Sequence, residues 1–110
     1  MKQIRVKPLE LGKILQEFHG DVNPYDVERE IKDIIQDTFN PDWDEYELTQ
    51  RTIANIKNWF YKEDFDMRGI SLIDIVDDYL VLSVPDALGN QLDLFGKDSL
   101  LSILRNAGLR

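Results

Sequence analysis

Four prolines, together with a few glycines and asparagines, limit how far any helix in this chain can run. A proline inside a helix removes a backbone hydrogen bond and clashes with the preceding turn, at a cost of about 3 kcal/mol. Helices must therefore begin or end near Pro8, Pro24 and Pro41. Between Pro8 and Gly20, the residues Leu9, Leu11, Ile14, Leu15 and Phe18 fall on one side of a helix, with Gly20 as its stop. Asn23 and Pro24 form an N-cap and first-turn pair. Val27, Ile31, Ile34, Ile35 and Phe39 then predict the buried face of a second helix that ends near Phe39, ahead of Asn40 and Pro41. Asp42 and Glu45 have capping-box spacing, and Tyr46, Ile53, Ile56 and Phe60 follow near-heptad spacing, which predicts a long third helix reaching Tyr61, with an ordered loop as the alternative for its N-terminal third. Before all three, Ile4 and Val6 alternate with Gln3, Arg5 and Lys7, the period-2 pattern of a short edge strand.

The second half changes character. Residues 71–84, SLIDIVDDYLVLSV, fit either an amphipathic helix capped by Ser71 and Asp74 or two strands turning at Asp77 and Asp78. The apolar, β-branched run from Tyr79 to Val84, with no glycine or asparagine ending a helix before it, favours the hairpin. Leu92 and Leu94 alternate with Gln91 and Asp93 as one more strand, and Asp98 caps a final helix stopped at Gly108. The expected fold is α+β: a helical N-terminal half, three helices after a short strand, with a small antiparallel sheet and a C-terminal helix. A helix over 71–84 would make the chain all-α instead. With 110 residues and 43% hydrophobic content, one domain over 1–110 is expected.

The formal charge of −8 disfavours nucleic acid and anionic membrane as direct ligands, because both would be repelled at long range. Cysteine is absent, so thiol nucleophiles, thiolate metal sites and disulfides are excluded. No stretch approaches the ~20 apolar residues of a membrane span, so a soluble, cytoplasmic protein is expected. The paired acids in DWD, DFD and Asp77–Asp78 lack the glycine-flanked loop that supplies further oxygens to Ca²⁺ or Mg²⁺. Pro85, Asp86, Asp93 and Lys97 lack the acid–residue–lysine spacing of metal-dependent nucleases. No phosphate-cradling glycine loop or nucleophile elbow is present. His19 is the lone histidine, and the helix dipole at a C-terminus is sufficient reason for its position. No catalytic residue, metal site or cofactor is expected.

The acid is concentrated. Residues 21–47 carry ten acidic and two basic side chains, which matches the net charge of the whole chain. At 100° per residue, Asp26, Glu30, Asp33 and Asp37 fall within about 60° of one another, beside the apolar stripe of the second helix. They span about 16 Å, or one carboxylate per ~5 Å, against ~3.4 Å between the phosphates of one DNA strand. Part of this pattern suits ordinary surface pairing, since Glu28 with Lys32 and Arg29 with Asp33 have attractive i,i+4 spacing. Asp26 with Glu30 and Asp33 with Asp37 repel at that same spacing. Asp42, Asp44, Glu45 and Glu47 continue the acid with Trp43 and Tyr46 interleaved, aromatics of the kind that anchor interfaces, although each taken singly fits a core more readily. In the run Asn58–Tyr61, Trp59, Phe60 and Tyr61 cannot all face one side of a helix, so at least one must lie at an edge or outside.

These features favour a non-enzymatic acidic inhibitor that occupies the basic nucleic-acid-binding cleft of a partner protein, such as a nuclease or another nucleic-acid-binding enzyme. The expected contact residues are Asp26, Glu30, Asp33, Asp37, Asp42, Trp43, Asp44, Glu45, Tyr46 and Glu47. Phage anti-defence proteins such as anti-CRISPR proteins, and immunity proteins of nuclease toxins, use this nucleic-acid-mimic strategy. No residue motif here matches either, and the parallel is one of charge alone. The alternative is a non-catalytic adaptor or small structural subunit whose acid only solubilises it and whose aromatic or C-terminal leucine surface makes the contact.

Overall fold

The computed structural model describes residues 2–86. The strand expected around Leu92 and the helix expected from Asp98 lie outside the described residues. Within them the chain is mixed α+β: β1 (Lys2–Val6), α1 (Pro8–His19), α2 (Pro24–Thr38), α3 (Glu45–Lys62), β2 (Ser71–Val76) and β3 (Tyr79–Val84). The strands form one antiparallel sheet in the order β1-β3-β2.

Residues 71–84 form the hairpin. Asp77 takes φ +54°, a left-handed conformation that aspartate tolerates better than a β-branched residue would. In the register, Ile4 and Leu72 both face Leu82, while Val6 faces Leu80. An irregularity at Ile73 then brings Ile75, rather than Asp74, opposite Leu80. That extra residue keeps apolar side chains on the helix-facing side of a strand whose strict alternation would have put acid there.

The helices cover this face. Leu11, Ile14, Leu15 and Phe18 of α1, Val27 and Ile31 of α2, and Ile53, Ile56 and Phe60 of α3 join Ile4, Val6, Leu72, Leu80, Leu82 and Val84 in one core. α1 and α2 approach closely at Gly12, where a Cβ would lie 2.6 Å from the Pro24 carbonyl oxygen. α1 ends at Gly20, φ +77°, whose N–H donates to the Gln16 carbonyl at 2.7 Å.

Several details differ from the pattern read in the sequence. α2 stops at Thr38, and Phe39, whose backbone turns extended, is 63% exposed; Ile35 is also exposed. Only Val27, Ile31 and Ile34 of the expected stripe meet the core, because α2 is covered along a narrow arc and Ile35 lies beyond it. α3 is capped two residues later than the Asp42–Glu45 spacing predicts: the Asn40 side chain accepts the Asp42 N–H at 3.0 Å, closing a turn, and Asp44 caps the helix through Glu47 N–H at 2.8 Å. Tyr46 points outward, 73% exposed, so the near-heptad starts at Ile53 rather than at Tyr46.

Candidate binding surface on the α2–α3 hairpin

α2 and α3 run antiparallel as a helical hairpin. Near the connecting loop they are tied by Asn55, whose side-chain amide donates to the Thr38 hydroxyl at 2.9 Å, while that hydroxyl donates to the Ile34 carbonyl at 2.7 Å. The acidic stripe of α2 stands along this hairpin. Glu30 and Asp37 border the groove between the two helices, together with Asn55, Asn58, Trp59 and Lys62. Asp26 and Glu30 border a second groove, of about 790 Å³, at the end where α2 begins and α3 finishes. Asp33 is exposed on the open side of α2 and lines neither groove.

Most of the stripe makes no ion pair among the described residues. Arg29 pairs with Asp26 at 3.1 Å rather than with Asp33, an exchange open to it because i,i+3 and i,i+4 neighbours share one helix face. Lys32 sits 3.7 Å from Glu28, as its spacing predicts. Glu30, Asp33 and Asp37 make no ion pair among the described residues.

The acid at residues 42–47 is differently employed. Asp44 is a cap, and Glu47 accepts from Arg51 Nε at 2.7 Å. The Arg51 guanidinium in turn lies 4.5 Å from the centroid of the half-buried Trp43 ring. Asp42, Glu45 and Tyr46 are exposed at the loop end of the hairpin.

The opposite end brings together residues that are distant in sequence. Trp59 is half-buried, Phe60 is core, and Tyr61 is 87% exposed, so that run divides between three environments. Phe65 folds back after α3, its N–H bonded to the Phe60 carbonyl, and stacks edge-on against Trp59 at 5.5 Å. His19 lies tilted against the Phe65 ring at 5.5 Å, and its Nε2 accepts the Asp66 N–H at 3.0 Å. The histidine therefore ties the post-α3 loop to the end of α1. Asp21, Glu63 and Asp64 complete the acidic rim of this groove. Asp21 belongs to the acidic segment 21–47, whereas Glu63 and Asp64 lie far from it in sequence and join it only through the fold.

Among the described residues no group of three or more histidines and acids is placed to hold a metal ion, and no helix is long and apolar enough to cross a membrane. No protein-family model, curated protein or solved structure matches the chain.

Proposed function

We propose that this protein is a non-enzymatic inhibitor whose acidic α2–α3 face occupies the basic nucleic-acid-binding cleft of a partner protein. The observation that carries this reading is the uncommitted acid: Glu30, Asp33 and Asp37 stand in a row without ion pairs among the described residues. Mutually repelling carboxylates add little to a fold, whereas a row of them attracts a cationic surface over a long range. Asp42, Glu45 and Tyr46 would extend the contact past the loop end, and Asp21, Glu63 and Asp64 past the other. The mimicry of a phosphate row, the strategy of anti-CRISPR and nuclease-immunity proteins, rests here on charge spacing.

The second reading, an adaptor, draws on the exposed aromatic side chains of Tyr25, Phe39, Tyr46 and Tyr61, which could seat a partner without help from the acid. One experiment separates the two. Partners captured from the native host and identified by mass spectrometry are titrated, as preformed complexes, with nucleic acid at low and high salt. An inhibitor is displaced by nucleic acid and loosens as salt rises. Simultaneous binding of both ligands, indifferent to salt, would reject it in favour of the adaptor.

A further inference from the structure

Trp43, Glu47 and Arg51 follow one another at intervals of four residues, and together they hold a guanidinium: the ring lies 4.5 Å from it and the carboxylate accepts from Nε at 2.7 Å. Trp59 and Glu63 repeat the first two positions at the other end of α3. There the third position is Met67, and among the described residues no cation lies over the Trp59 ring. Trp59 and Glu63 both line the 790 Å³ groove, whose other carboxylates come from Asp21, Asp26, Glu30 and Asp64. Arg29 is the one arginine or lysine among its described lining residues, and it is engaged at the edge by Asp26. The chain thus carries the same ring-and-carboxylate spacing twice, once filled by its own arginine and once, among the described residues, not.

We infer that this groove receives an arginine side chain from the partner, its guanidinium lying against Trp59 and donating to Glu63. Five acidic side chains set against one arginine make the groove complementary to a cation. The aromatic wall selects which cation: a planar guanidinium stacks on a ring while donating in its own plane, whereas a compact, strongly hydrated ammonium gains less from the ring. Arginine is also the side chain that binds phosphate in a bidentate manner, so a nucleic-acid-binding cleft presents it. The identity of the partner rests on the proposed inhibitor function; the preference of the groove for arginine does not.

The test needs no partner. Nα-acetyl-arginine amide and Nα-acetyl-lysine amide are titrated separately into the ¹⁵N-labelled full chain, with the Trp59 indole resonance assigned through a Trp43→Phe variant. The expected result is a saturable shift of the Trp59 indole and of the Glu63 and Asp64 amides, with the lysine compound binding on the order of two- to fivefold more weakly. Glu63→Gln, at an exposed helix end where folding is not at risk, should weaken the arginine response while leaving the rest of the spectrum in place. No saturable shift at Trp59, an equal response to both compounds, or full retention of arginine binding in Glu63→Gln would each overturn the assignment. Arginine-selective binding by a chain that nucleic acid never displaces from its partner would remove the inhibitor reading and leave the groove standing. Displacement without arginine selectivity would do the reverse.

Discussion

The two acidic regions of this protein, the stripe on α2 and the run from Asp42 to Glu47, look alike as sequence and differ as structure. In the second, Asp44 caps α3 and Glu47 holds Arg51 over Trp43, so part of the charge is bound up in the fold. In the first, only Asp26 has an ion-pair partner among the described residues, and Glu30, Asp33 and Asp37 have none. Charge density therefore does not separate structural acid from acid free to meet a partner. What separates them is whether a hydrogen-bond donor of the same chain already faces the carboxylate.

Substitutions that strain the scaffold, then the bound acid, then the free acid should form a descending series in stability. At the top, Gly12→Ala would drive a methyl group into the Pro24 backbone, 2.6 Å from its carbonyl oxygen, and must push α1 and α2 apart. A loss of about 1–3 kcal/mol by chemical denaturation is expected. Asp44→Ala removes the N-cap of α3 and should cost about 1 kcal/mol. Glu47→Gln weakens an exposed pair, so only a few tenths of a kcal/mol should be lost, with the near-ultraviolet signal of Trp43 changing as Arg51 is released. Single neutralisations of Asp33 or Asp37 should fall at the bottom, near zero or slightly stabilising, because each relieves a like-charge neighbour. A loss at Asp33 or Asp37 equal to that at Asp44 would erase the distinction between the two regions.

The sequence announces this contrast only in part, for physical reasons that can be traced. Asn23–Pro24 is a local start signal, and α2 begins there because the Asn23 side chain accepts the Tyr25 N–H at 2.9 Å. The hairpin over 71–84 was legible because its second arm is apolar on both sides. The Asp42–Glu45 spacing puts the start of α3 two residues early: Asp44 makes the cap through Glu47 N–H, and the Asp42 N–H is taken by the Asn40 side chain. Periodicity placed Ile35 and Phe39 inside, but the width of the arc that neighbours cover is a tertiary fact. Likewise, four-residue spacing offered Arg29 to Asp33, and the side chain takes Asp26 instead. The groove was the least legible feature: Asp21, Trp59, Glu63 and Asp64 meet the stripe only because α3 returns antiparallel along α2 and Phe65 folds back beneath it.

The claim that the free acid is a binding surface is tested most directly by changing Asp26, Glu30, Asp33 and Asp37 together to Asn or Gln. This removes four charges at nearly constant shape, dissolves the Asp26–Arg29 pair and relieves two repulsive i,i+4 pairs. Thermal denaturation is measured beside association kinetics with the captured partner, using Asp74, Asp77 and Asp78 changed to Asn as a control that removes three charges elsewhere on the surface. Stability is expected to stay within about 1 kcal/mol of wild type. Association should slow by about tenfold or more at low salt, with the control far less affected. Wild-type association by the quadruple variant would overturn the binding role and leave the stripe as a solvated helix face.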